Sequence, residues 1–226
     1  MSASLIVMAK APVPGRVKTR LTPPLLPEEA AVLARAALED TLAAVEGSRL
    51  ATRRVVALEG EPDGWLPDGF ELVAQRGGGL AQRLAGAFED VGGPALLVAM
   101  DTPQVTPELL DAGLAGLADG ADAVFGPAAD GGYWTIGLAR SDPRVFDGVP
   151  MSQAHTGAAQ RARLAVLGLE THYLPLLRDV DTFEDCRVVA AAAPGGRFAA
   201  ALRDLARYST AEPAHSAAVI SSQRAR

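Results

Sequence analysis

The chain has 226 residues, 49% hydrophobic and 21% charged, a globular balance that excludes wholesale disorder. No apolar run, Ala95–Met100 included, approaches the roughly 20 residues that span a bilayer, and the start has no basic stretch followed by an apolar one, so the reading is a cytoplasmic protein. A net charge of −6 disfavours a general nucleic-acid binder, and one cysteine, Cys186, excludes a disulfide framework or a cysteine-built zinc site.

In chain order, Ser4–Ala9 reads as a short buried strand, and the proline-rich stretch Lys10–Pro24 as a loop. Pro27–Val45 has a first-turn proline, two early glutamates and helical apolar spacing, and predicts a helix. Arg54–Leu58 and Phe70–Ala74 read as strands, and Gly77–Gly79 opens a helix over Leu80–Val91. Ala95–Met100 is the most apolar strand and is expected at the centre of a sheet. Thr106 caps a helix reaching Leu117, with Pro107 at its first position. Ala121–Phe125 and Tyr133–Leu138 read as strands around a glycine-rich turn. A helix near Thr156–Leu167, a strand near Glu170–Leu174 and helices near Phe183–Ala192 and Gly196–Tyr208 complete the series. The segment 209–226 reads as a disordered tail, and 1–208 as one domain. Strands alternating with helices predict an α/β fold, an αβα sandwich around a mostly parallel sheet, with ligands at the carboxyl ends of its strands near a switch point.

Four clusters follow predicted strands. Ala9–Leu21 carries Lys10, Arg16, Lys18 and Arg20 in a loop braced by prolines, with Gly15 allowing close backbone approach. The chain has 21 basic residues, yet its only two lysines lie here, where a compact ammonium does what a guanidinium does not. The loop suits a polyphosphate, although it matches neither a P-loop nor G-x-G-x-x-G; a solvated basic loop is the plain alternative. Asp101 follows the most apolar strand and is either a Mg²⁺ or Mn²⁺ ligand or a turn residue before Thr102-Pro103. In Asp179–Asp185, Thr182 and Asp185 form a capping box, leaving Asp179 and Asp181 on one face of an extended segment as further metal ligands. Asp130, Gly131, Gly132 and the aromatics Tyr133 and Trp134 suggest a substrate wall, though a hairpin turn would account for the glycines. No G-x-S-x-G or H-E-x-x-H is present, and the three histidines are isolated.

AKAPVPGRVKTRL, MDTP, GPAADGGYWTIGL and DVDTFED, in that order over residues 4–190, resemble an uncharacterised bacterial family (DUF2064-like) similar to glycosyltransferases and to 2-phospho-L-lactate guanylyltransferase. The resemblance implies the Rossmann-like GT-A fold of the nucleotide-diphospho-sugar transferase superfamily. It implies that Lys10, Gly15, Arg16 and Lys18 hold the nucleotide phosphates, with Lys18, Arg20 and Asp101 catalytic. It implies metal ligation by Asp101 and Asp181 with Asp179 beside them. It places Gln75 and Arg83, in and beside GGGLAQR, near the base or ribose. Acceptor binding falls to Asp130, Gly131, Gly132 and Tyr133. One departure is Met151-Ser152-Gln153, where the family pattern has Trp-Ser-Thr.

The expected partners are a nucleotide and a small acceptor, with no nucleic acid and no membrane. Two reactions fit. In nucleotidyl transfer an anionic acceptor attacks the α-phosphorus of a nucleoside triphosphate and needs no general base. In glycosyl transfer the metal holds an NDP-sugar, commonly through D-x-D, but position 103 here is Pro103. The first is favoured; a non-catalytic nucleotide-binding module is the third reading.

Overall fold

The computed structural model describes residues 3–211. Strand β1 (Ser4–Lys10) leads through a 3₁₀ turn (Thr19–Leu21) to α1 (Pro27–Gly47), then to β2 (Arg53–Glu59) and β3 (Glu71–Ala74). Next come α2 (Leu80–Val91), β4 (Ala95–Ala99), α3 (Pro107–Ala118) and the hairpin of β5 (Ala123–Pro127) and β6 (Tyr133–Leu138). A 3₁₀ turn (Pro143–Phe146), α4 (Thr156–Val166), β7 (Thr171–Tyr173), α5 (Phe183–Ala192) and α6 (Arg197–Ala211) follow. The Pro143–Phe146 turn has no counterpart in the sequence reading. Of the expected tail 209–226, the first three residues belong to α6, and 212–226 lie outside the described residues.

The seven strands are ordered β3-β2-β1-β4-β6-β5-β7, so the most apolar strand, β4, is indeed the middle one. β6 is antiparallel to β4 and β5, and the other pairs are parallel. The chain builds β1, β2 and β3 outward on one side, then returns to add β4 on the other side of β1. The switch point therefore lies between the carboxyl ends of β1 and β4, where a mostly parallel sheet leaves a crevice.

Strand alternation distributes the core to both faces. Leu5, Val7, Leu96 and Val98 pack under α1 and α3, whereas Ile6 and Leu97 face α2. A third cluster joins α1, α5 and α6 around Leu33, Cys186, Val189 and Phe198. The expected caps are present: Thr106 accepts from the Leu109 N–H, and Thr182 and Asp185 close a reciprocal box.

The start of α6 is capped from outside. Asp40 of α1 accepts from the Arg197 and Phe198 N–H groups, both at 2.9 Å, and Arg197 lies 3.7 Å from the same carboxylate. Asp40→Ala is expected to cost about 1–2 kcal/mol, lowering Tm by roughly 2–8 °C. Melting unchanged from the parent would show that α6 docks without this cap.

Candidate active site

The loop after β1 turns sharply at Val13–Arg16, where the Arg16 N–H donates to the Val13 carbonyl at 3.0 Å. Pro14 and Gly15 occupy the two middle positions, and Gly15 has φ +73°, as a type II turn requires. The turn leaves Arg16 exposed. Lys18 then adopts left-handed backbone, φ 48° and ψ 39°, at the head of the 3₁₀ turn.

From there the Lys18 ammonium reaches Asp101 Oδ2 at 2.7 Å and also donates to the Val180 carbonyl. The Val180 N–H donates in turn to the Asp101 carbonyl at 3.0 Å. One lysine thus ties together the loop after β1, the end of β4 and the segment before α5. Its side chain is 11% exposed. Burial by itself would discharge it, but the attraction and hydrogen bond of Asp101, reinforced by Asp181 and Asp179, hold its pKa above the ordinary lysine value. Arg20 pairs with Asp181 alongside.

Asp101, Asp130, Asp179 and Asp181 line one cavity of about 690 Å³ with Arg20. Val180, between two of these aspartates, is buried in the core. Alternation in an extended segment thus turns Asp179 and Asp181 the same way, as the sequence predicts. The Asp179 carboxyl is pushed up to about 6, first by burial and then by the negative charges of Asp101 and Asp130.

Asp130, Gly131 and Gly132 form an Asx turn in which the Gly132 N–H donates to Asp130 Oδ1 at 2.7 Å. Gly131 has φ +90°, and a Cβ there would lie 1.8 Å from the Ala154 carbonyl oxygen, so the turn is pressed against the segment before α4. The Gly157 N–H fixes it by donating to the Gly131 carbonyl at 2.8 Å. Between β5 and β6 the register shifts at Gly126/Pro127, leaving Trp134 without a partner across the pair. This bulge lets Tyr133 and Ile136 belong to the α2 face while Trp134 packs under α3. Tyr133 lines the cavity, and burial pushes its hydroxyl above the usual phenol range.

Lys10, Gln75 and Arg83 gather at a second place, the ends of β1, β2 and β3, around a residue that the sequence reading missed. Glu59, at the end of β2, pairs with Lys10 at 3.0 Å and with Arg83. Its pKa is lowered, first by the Lys10 hydrogen bond. Gln75 donates one amide hydrogen to the Ala9 carbonyl at 2.7 Å and one to the Ala57 carbonyl at 2.9 Å. Both its hydrogens are taken, so Gln75 braces the strand ends. Glu59 lies opposite Lys10 in the β1–β2 register; no sequence motif marks it.

Among the described residues, no three His, Cys, Asp or Glu side chains converge as a cage that could hold a metal ion. The donor set nevertheless suits Mg²⁺ or Mn²⁺, which needs only one or two carboxylates when substrate phosphates and waters supply the rest. Asp101 and Asp179 share the cavity and repel one another, which a divalent cation would relieve. Among the described residues no helix is long and apolar enough to cross a membrane.

Asp179 sets a pH dependence. Its folded pKa of about 6 lies above the ordinary 3.8, so the stability it confers is present below pH 4 and lost as pH rises through 6. Asp179→Asn is expected to melt above the parent at pH 8, by roughly 1–2 kcal/mol after allowing for solvent screening, and to converge with it near pH 4. Parallel melting curves across that range would reject the assignment.

A family model described as an uncharacterized protein conserved in bacteria, DUF2064, matches residues 30–153, more than half the chain. The match includes Asp101 and Asp130–Tyr133 but neither the basic loop nor Asp179 and Asp181. A crystal structure from Desulfovibrio desulfuricans G20, provisionally described as a nucleotide-diphospho-sugar transferase, is 31% identical with a TM-score of 0.80, covering 90% of this chain and 95% of that one. A CMP:2-keto-3-deoxy-manno-octonic acid synthetase complexed with CTP is 15% identical, with a TM-score of 0.53 over 86% of this chain and 99% of that one. The 2-C-methyl-D-erythritol 4-phosphate cytidylyltransferase of Thermus thermophilus is 18% identical, with a TM-score of 0.53 over 86% and 100%. No curated protein matches the sequence. The chain belongs to the DUF2064 family, and its mixed α/β fold is the one found in nucleotidyltransferases and nucleotide-diphospho-sugar transferases.

Proposed function

We propose that this protein is a metal-dependent nucleotidyltransferase. It moves a nucleoside monophosphate from a nucleoside triphosphate to a small acceptor bearing a phosphate or carboxylate. The acceptor oxygen forms a bond to the α-phosphorus as the bond to the β-phosphate oxygen breaks, and pyrophosphate leaves. The observation that carries this reading is the buried Lys18 ammonium, held against Asp101 at the switch point beside a carboxylate-lined cavity. A fixed cation there costs no reorganisation when charge develops on the leaving group.

Each residue has a part in this scheme. Lys18 keeps its proton and hence its charge throughout. Arg20 lines the cavity and neutralises departing pyrophosphate. Gly15, Arg16 and Lys10 guide the phosphates over the strand ends, and Gln75 and Arg83 support the base or ribose. The turn at Asp130, Gly131, Gly132 and Tyr133 positions the acceptor, pinned by its contact with Ala154. Asp101 and Asp179, with Asp181, would hold Mg²⁺ or Mn²⁺. When bound, that ion neutralises phosphate charge and orients the leaving group. An anionic acceptor is already a nucleophile, which suits a cavity lined by no histidine.

Glycosyl transfer from an NDP-sugar is the second reading. It is favoured by the 31% identity to the Desulfovibrio protein, and disfavoured by Pro103 where D-x-D would place a second carboxylate.

Thermal melting with ATP, GTP, CTP and UTP against UDP-glucose and GDP-mannose, each with Mg²⁺, Mn²⁺ or EDTA, separates the two. Ligand at 100 times Kd adds about 2.7 kcal/mol, a rise on the order of 5–10 °C. A metal-dependent rise with a triphosphate is expected; a rise with a nucleotide sugar alone would reverse the assignment. Lys18→Ala and Asp101→Ala are each expected to lose pyrophosphate release by about a hundredfold or more, assayed at a temperature where circular dichroism shows the variant folded. Near-parental turnover in either variant would remove that residue from the mechanism.

A further inference from the structure

The cavity has two unlike walls. The aspartates and Arg20 form one of them. The other is apolar and assembled from five separate parts of the chain: Met8 of β1, Leu80 and Leu84 of α2, Leu97 of β4, Tyr133 of β6 and Met151 before α4. Leu84 and Leu97 are core residues, 4% and 3% exposed, while Met8, Leu80, Tyr133 and Met151 are half-buried. This wall follows from strand alternation and from the bulge at Trp134, which together bring Met8, Leu97 and Tyr133 to the α2 face of the sheet.

The Tyr133, Gln160 and Thr156 polar groups beside this wall are engaged within the protein. The Tyr133 hydroxyl has only distant partners, Gln160 Oε1 at 3.5 Å and Met151 Sδ at 3.8 Å. Gln160 gives its amide to the Val145 carbonyl at 2.8 Å. Thr156 donates to the Pro150 carbonyl at 2.7 Å and accepts from the Gln153 N–H at 3.0 Å. Across the cavity, Asp101 pairs with Lys18, Asp181 with Arg20 and Asp130 with the Gly132 N–H, each through one carboxylate oxygen, and Asp179 lines the same wall. Ser152 and Gln153 are exposed and line the rim of the same cavity. A polyhydroxylated ring has several hydroxyls around its edge, and each one buried without a partner costs about 1–3 kcal/mol. Of the six residues of this wall, only Tyr133 carries a hydroxyl.

We infer that the acceptor is a small molecule with an apolar body, alkyl or aromatic, which lies against Met8, Leu80, Leu84, Leu97, Tyr133 and Met151 and presents its reacting oxygen towards Asp101. This inference rests on the proposed nucleotidyl transfer and names the acceptor class for the same site.

The test reads a slope. Binding of methyl, ethyl, butyl and hexyl phosphate to the full chain is measured by calorimetry with Mg²⁺ present, with glucose 1-phosphate as a probe carrying the same head group on a polar body. Burial of each methylene can tighten binding up to about fourfold. The expected result is a gain of about two- to fourfold per methylene, with glucose 1-phosphate no tighter than methyl phosphate. Leu80→Asn and Met151→Gln should each flatten the slope. Both positions are half-buried, so if one variant fails to fold the other carries the test. A flat series in the parent, glucose 1-phosphate tighter than hexyl phosphate, or an unchanged slope in a folded variant would overturn the inference. Its failure is distinct from failure of the reaction: a flat slope beside a metal-dependent triphosphate shift rejects only the acceptor class. A steep slope without that shift supports the pocket and rejects the transfer.

Discussion

A single buried ammonium organises this molecule. Burying a charge is costly unless partners replace its hydration, and Lys18 finds both of its partners on chain segments distant in sequence, Asp101 after β4 and the Val180 carbonyl before α5. It does so from a left-handed backbone conformation that non-glycine residues rarely adopt. The strain is sustained because the surroundings leave no alternative: the turn at Pro14-Gly15 returns the loop, Val17 and Leu21 are buried on either side, and the backbone bond from Val180 to Asp101 fixes the receiving end. Arginine, with a planar fork and a longer reach, is a poor replacement in a slot sized for one point charge.

The topology places that slot. Because β1 is flanked by β2 on one side and β4 on the other, the strand order reverses between β1 and β4, and their carboxyl ends flank the switch point. The antiparallel β6 then enters beside β4, which a wholly parallel sheet would not permit, and brings the Asp130–Tyr133 turn to the same edge. The glycine at 131 lets this turn touch the backbone before α4, so the two loops form one wall.

The resulting cavity combines opposed environments within about 690 Å³. On one side, burial and the neighbouring carboxylates of Asp101 and Asp130 raise the Asp179 pKa to about 6; the other is an extension of the core beneath α2. Such a division suits a reaction in which phosphate chemistry occurs at one end of a ligand whose remainder is recognised by shape and apolar contact.

Much of this was legible in the sequence, because its signals are local. Apolar runs, proline and glycine punctuation and capping pairs such as Thr182 and Asp185 depend on neighbours a few residues apart. So do the spacing of Asp179 and Asp181 and the crowding of both lysines into one loop, and the length of the apolar run 95–100 already marked β4 as central. What tertiary structure alone decided concerns residues far apart in the chain. The pairing of Lys18 with Asp101 spans 83 positions. Glu59 meets Lys10 through strand register, and Gln75 becomes a brace because two carbonyls happen to lie within its reach. The bulge at Trp134, which settles which way Tyr133 turns, arises from a mismatch between paired strands that neither strand carries by itself. The physical reason is the same in each case: local sequence determines conformational preference, while register, burial and charge pairing exist only once distant segments are packed against one another.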